Sequence, residues 1–283
     1  MAFTEHLREL RTRLRNSILA LIVAILITYF FSQPLFALLC QPYIDAYRAN
    51  NLGAAQLEFA SLIEPFWVYF KVAMYAGIFV ASPVIFYQLW QFIAPGLYVK
   101  EKRIALPFAI FSALFFISGA LFCYYFVFPV AFKFFLSYAN ANISQMQEMF
   151  GMHVNVNVAD PLIVHPTIFM EQYLDLSTKM LLGFGLIFEM PLLIFFLAYA
   201  GLVTHRSLWK FNKYAIVLSF VIGAILTPGP DVVSQLLMAT PMVVLYNLSI
   251  LIAYVVTRRK EAAAQFETPV GGNDERDDED EEK

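Results

Sequence analysis

The sequence is poor in charge. Only 14% of its 283 residues are Asp, Glu, Lys or Arg, while 60% are hydrophobic. Soluble domains carry about 25% charged residues, which excludes an ordinary water-soluble globule. Cysteine is scarce as well. Cys40 and Cys123 are the whole supply, too few for a disulfide framework. The four histidines, His6, His153, His165 and His205, fall outside the long apolar runs, so there are no paired intramembrane haem ligands. There is no HExxH, no Cys/His ligand cluster and no phosphate-binding loop. Gly183-Phe184-Gly185 lies inside an apolar run, where small residues allow close helix packing rather than nucleotide binding. No enzymatic activity, metal, cofactor or nucleic-acid partner is expected.

What the chain has in abundance is long apolar runs. A hydrocarbon core about 30 Å thick needs about 20 mostly apolar residues per helix. Runs of this kind cover roughly 16–39, 67–93, 104–134, 174–200, 211–227 and 232–256. No series of alternating ten-residue segments suggests a barrel. The expected fold is an all-α polytopic membrane protein with six transmembrane helices. The third run is long enough to tilt or to break near Pro129. Thr227-Pro228-Gly229-Pro230-Asp231 is all that joins the fifth and sixth, making a tight hairpin. These two are among the shortest runs, suited to a thinned bilayer or to stopping short of one face. No Ala-x-Ala site follows the first run, so it is expected to be retained as an anchor. Leu39 is too large to precede a lipoprotein cysteine at Cys40. Three parts result: a cytoplasmic amphipathic helix at 1–15, a six-span membrane domain at 16–256, and a tail at 257–283 with a disordered acidic end.

Charge sets the orientation. Arg8, Arg11, Arg13 and Arg15 precede the first run. Lys100, Lys102 and Arg103 lie between the second and third. Arg206, Lys210 and Lys213 lie between the fourth and fifth, and Arg258, Arg259 and Lys260 follow the sixth. The opposite loops hold Arg48 alone. The positive-inside rule then places both termini in the cytoplasm. The formal net charge of −3 comes from residues 274–283, which hold eight acids and two bases. So charged a stretch cannot bury a core.

Within this frame a few polar groups stand out. Leu7, Leu10, Leu14 and Ile18 recur at helical spacing, the pattern of an amphipathic helix at the membrane surface. Thr4 can cap it. Glu9 and Arg13 are four apart and can pair; Glu9 is also a rare acid on a basic surface, open to a cationic ligand. Glu101 is the one acid between the second and third runs. Two such carboxylates could receive guanidinium groups through bidentate hydrogen bonds. Glu189 sits mid-run, where a charged acid costs about 2.5–3.5 kcal/mol. It is expected to face the protein interior or a water-filled groove. Pro191 frees the carbonyl of Ile187 and bends the helix. A packing contact, a partner-helix site and a proton-coupling site of a small-solute transporter all fit Glu189. Asp231 can cap the sixth helix, with Gln235 one turn on and on the same face.

Four stretches in order carry a resemblance. They are HLRELRTRL at 6–14, SPVIFYQLWQFIAPGLYVKEKR at 82–103, FGLIFEMP at 184–191, and LTPGPDVVSQ with the following LLMATPM. Together they resemble the TatC family, the multispanning core of the twin-arginine protein translocase, over about 5–258. The resemblance implies a plasma (inner) membrane protein that binds twin-arginine signal peptides of folded cargo. It further implies export driven by the protonmotive force, with TatA-type and TatB-type partners, membrane lipid, and self-association in a receptor complex. By motif, Glu9 and Glu101 match the carboxylates that receive the two arginines. Arg11, Phe92 and Arg103 match their neighbours on the recognition surface. Glu189 matches the intramembrane glutamate linked to a concave groove where small partner helices dock, and Gln235 and Asp231 match polar positions at the outer end of the last hairpin. Pro42 matches a proline of the first outer loop. The second outer loop, 137–172, is longer than in many members, and its HVNVNV alternation suits a short strand.

Overall fold

The computed structural model describes residues 3–50, 52–97, 105–137, 167–227 and 232–266. Nine α-helices are described: α1 (Phe3–Tyr29), α2 (Ser32–Ala49), α3 (Glu64–Leu97), α4 (Ala105–Phe122), α5 (Phe128–Ser137), α6 (Met170–Phe188), α7 (Met190–Tyr199), α8 (His205–Leu226) and α9 (Val232–Phe266). A π-helical turn, Cys123–Val127, joins α4 to α5. Five stretches are each long and apolar enough to cross a bilayer: Glu64–Ile93, Leu106–Ser137, Met170–Tyr199, His205–Leu226 and Gln235–Arg258. A sixth is reached only by taking α1 and α2 together, and these are bent by 82°.

That bend corrects the first expected span. The apolar run to residue 39 is not one helix. Phe31 N–H closes on the Thr28 carbonyl at 3.0 Å, and α2 starts afresh at Ser32. The cause is Pro34, which has no N–H to continue α1 but is tolerated in the first turn of a new helix. Residues 32–49, expected in large part as a polar loop, are therefore helical. The unbroken apolar part of α1, Asn16–Tyr29, is about 21 Å long at 1.5 Å per residue. Among the five unbent spans the fifth and sixth are the shortest, at 22 and 24 residues against 30–32.

Two other prolines act as the sequence suggested. Pro129 cannot bond the Tyr125 carbonyl, and a π turn absorbs the defect: Phe128 N–H reaches five residues back, to Cys123. Pro191 cannot bond the Ile187 carbonyl, and the fourth span is interrupted at Glu189 between α6 and α7. Glu189 N–H makes a short-range bond to Leu186 O at 3.1 Å. Gly201, at φ +78°, ends α7 in the left-handed conformation that glycine adopts without strain. Thr204 then caps α8, its hydroxyl accepting from Ser207 N–H. Helix α8 starts at His205, so Arg206 and Lys210 belong to its first turns rather than to a loop.

The helices pack as α1 on α3, α3 on α4, α4 on α6, α7 on α9 and α9 on α8, with α2 laid across α5. The α4–α6 crossing is close enough that a Cβ on Gly119 would sit 2.5 Å from Phe184 O, and one on Gly185 2.7 Å from the Phe116 ring. Only glycine lets these backbones meet. Gly183 faces the flexible end of Leu226 instead. Helix α8 lies at the edge of the bundle, with 17% of its span buried against 33–39% in the other four of these five spans. The main core, around Tyr43, Phe128, Phe132, Tyr173 and Phe184, sits where α2 crosses the ends of α5 and α6. There Glu58 pairs with Phe169 in an isolated parallel bridge, its N–H donating to Ile168 O and its carbonyl accepting from Met170 N–H. The HVNVNV stretch and the acidic end lie outside the described residues.

Candidate functional site

Two polar stripes meet where the start of α1 crosses the end of α3. His6, Glu9 and Arg13 stand three and four residues apart and so share one face of α1. Gln88, Gln91 and Phe92 do the same on α3. The expected Glu9–Arg13 pair is present at 3.2 Å, with side chains 23% and 29% exposed. Arg13 also crosses to α3. Its Nη1 donates to Gln88 Oε1 at 3.3 Å and to Gln91 Oε1, and the Gln91 amide donates to the Tyr87 hydroxyl. The His6 and Phe92 rings stack at 4.5 Å, 20° from parallel. Glu9 and Phe92, far apart in sequence, are therefore brought to one seam. Arg11 is not brought there: it is exposed on another face of α1. Glu101 and Arg103 lie outside the described residues. Gln88, Gln91 and Tyr87 were missed by sequence reasoning, although QLWQF repeats glutamine at helical spacing.

The stripe of Leu7, Leu10, Leu14 and Ile18 is exposed along the other side of α1, so α1 uses its polar face for the bundle and leaves its apolar face uncovered.

Glu189 lies at the break between α6 and α7, partly buried. Its carboxyl group faces the Ser112 hydroxyl and the Phe116 main chain of α4. Its Oε1 is buried without a hydrogen-bond partner among the described residues. The Ser112 hydroxyl also accepts from the Trp90 indole N–H at 2.8 Å. Trp90 is in turn packed on Phe108 and Phe196. A buried carboxylate oxygen with an unmet bond can accept one from a donor brought in by another helix.

Gln235 is half-buried near the start of α9, where the hairpin is tight: a Cβ on Gly223 of α8 would sit 3.3 Å from Gln235 O. Asp231 lies outside the described residues. Pro42 is buried inside α2. Among the described residues, no group of three or more His, Cys, Asp or Glu could hold a metal ion.

Known proteins match this chain over most of its length. The family model for Sec-independent protein translocase protein (TatC) matches residues 5–241. The TatC protein of Desulforapulum autotrophicum is 41% identical over 92% of this chain and 87% of its own length. That of Aquifex aeolicus is 38% identical over 92% of this chain and 98% of its own. A solved structure described as the twin-arginine translocase receptor TatC superposes with a TM-score of 0.72 at 37% identity, covering 89% of this chain and all of that one. With the family model, relatives covered over most of their length and a superposing solved structure in agreement, the chain belongs to the TatC family of Sec-independent protein translocase proteins.

Proposed function

We propose that this protein is the signal-peptide receptor at the core of a twin-arginine translocase, carrying folded proteins across the plasma (inner) membrane. The observation that carries the reading is the α1–α3 seam. It holds a half-buried carboxylate, Glu9, on the α1 face that also carries His6, whose ring stacks on Phe92 of α3, on a chain end rich in arginine. A guanidinium can pair with that carboxylate. The seam would take one arginine of the signal peptide and Glu101 the other, with Arg11 and Arg103 on the surrounding surface. Both termini face the cytoplasm in this reading, residues 1–15 lie at the membrane surface, and 257–283 form a tail.

Glu189 and Gln235 serve single-span TatA-type and TatB-type partners rather than the peptide. A donor on a partner helix would satisfy the open Oε1 of Glu189. Pro42 and Asp231 shape the outer face. The receptor associates with itself and with lipid, and the protonmotive force drives export.

Peptide binding tests the reading. Purified protein carrying Glu9→Gln with Glu101→Gln should bind a twin-arginine signal peptide at least about tenfold more weakly, since each charge-assisted bond is worth about 1.5–3 kcal/mol. Binding to the unaltered protein should weaken with added salt, because the site is interfacial. Unchanged affinity in the double variant would overturn the assigned roles.

A further inference from the structure

We infer that Arg13 is a positioning residue of the peptide site, which holds Glu9 so that it selects a guanidinium over an ammonium group. The inference rests on reading Glu9 as the receiver of a signal-peptide arginine.

Three side chains fix the Arg13 guanidinium. Nη1 donates to the carbonyl oxygens of both Gln88 and Gln91, and Nη2 donates to Glu9 Oε1. Gln91 is itself held by the Tyr87 hydroxyl. Arg13 is therefore anchored to α3, a different helix from the one that carries it. Its Nε is buried, with no hydrogen-bond partner among the described residues, so Nη1 and Nη2 carry the bonds that hold the fork. Glu9 in turn inherits its orientation from Arg13. One of its oxygens is engaged, and among the described residues Oε2 accepts no hydrogen bond.

This arrangement has two effects of opposite kind. The positive charge on Arg13 offsets the charge of Glu9, which weakens its general attraction for any cation. The fixed carboxylate plane meanwhile presents defined lone pairs. A planar guanidinium fork matches them, whereas the rotating donors of an ammonium group gain little from them. Bare attraction is lowered and geometric selection is raised. A carboxylate on a freely rotating side chain would do the reverse.

The measurement is the ratio of affinities for two synthetic signal peptides, one with paired arginines and one with paired lysines, on the full-length protein in lipid vesicles. Arg13→Gln should lower the arginine-over-lysine ratio by about tenfold, the effect of losing one oriented charge-assisted bond. The lysine peptide should bind as well as before or better. Arg13→Lys restores the charge without the fork and should leave the ratio low. If Arg13→Gln does not assemble, Gln91→Leu removes the anchor from the α3 side and should lower the ratio in the same direction. An unchanged ratio, or equal weakening of both peptides, would overturn the inference, because a merely structural role affects both alike. Glu9→Gln is measured alongside: arginine-peptide affinity untouched by that change would instead overturn the reading of Glu9 itself.

Discussion

The Tyr124 hydroxyl donates a 2.7 Å hydrogen bond to the main-chain carbonyl of Leu38, four residues before Pro42. Proline has no N–H to give that carbonyl its helical partner, and the tyrosine supplies one from the π turn. Tyr173 on α6 donates to the next carbonyl, Leu39, at 2.6 Å, a second tie between α2 and the bundle. The defect made by Pro42 in α2 thus supplies one of the points at which α2 is fastened to the bundle.

Tyr124→Phe should destabilise the protein by about 0.5–1.5 kcal/mol, the net worth of one hydrogen bond. Pro42→Ala gives Leu38 a helical partner again. In that background the same tyrosine change should cost less, and the difference is a coupling energy. Thermal unfolding of the four proteins in one detergent measures it. Strictly additive effects would show that the two residues are independent.

Glu64 is the next case. It is 6% exposed at the start of α3, yet both its oxygens are used. Oε2 accepts from Ala60 N–H, and Oε1 accepts from Glu171 N–H at 3.1 Å, in the first turn of α6. A carboxylate at two helix starts meets the positive ends of both dipoles. Glu64→Ala should cost about 1.5–3 kcal/mol per lost bond, with Glu64→Gln milder. Amide exchange at Ala60 and Glu171 should speed up in both variants. Protection equal to that of the unaltered protein would rule out this role.

Glu189→Ala should weaken association with single-span partner helices by roughly 5–30-fold, if the open oxygen receives one interhelical bond of about 1–2 kcal/mol. Peptide binding should be spared, since Glu189 lies on the α6–α7 break and Glu9 on α1. Cross-linking yield to a partner helix and peptide affinity, measured on the same preparation, separate the two. A correctly folded variant that loses peptide binding would contradict this division.

Hydropathy made most spans legible because a bilayer demands long apolar runs whatever the tertiary fold. The interruption at Glu189 was legible because proline acts on the carbonyl four residues back. The elbow after Tyr29 was missed although Pro34 announces it, because hydropathy averages over a proline set among leucines and phenylalanines. At the seam, Glu9–Arg13 could be read from helical spacing. Gln88 and Gln91 could not, because their contact with Arg13 spans more than seventy residues. Glu64 was hidden for the same reason: its second partner is 107 residues away. Glu101, Arg103 and Asp231 lie outside the described residues, so their placement rests on motif alone.

Helix α9 has a consequence for the tail. Its apolar span ends at Arg258, whose guanidinium lies 5.2 Å from the centre of the Tyr254 ring, but the helix runs on to Phe266. Eight further residues add about 12 Å of rod. That exceeds the Debye length of about 8 Å at physiological ionic strength. In sequence the acid cluster at 274–283 follows that rod, so α9 separates the acids from the last apolar span by more than one Debye length of helix.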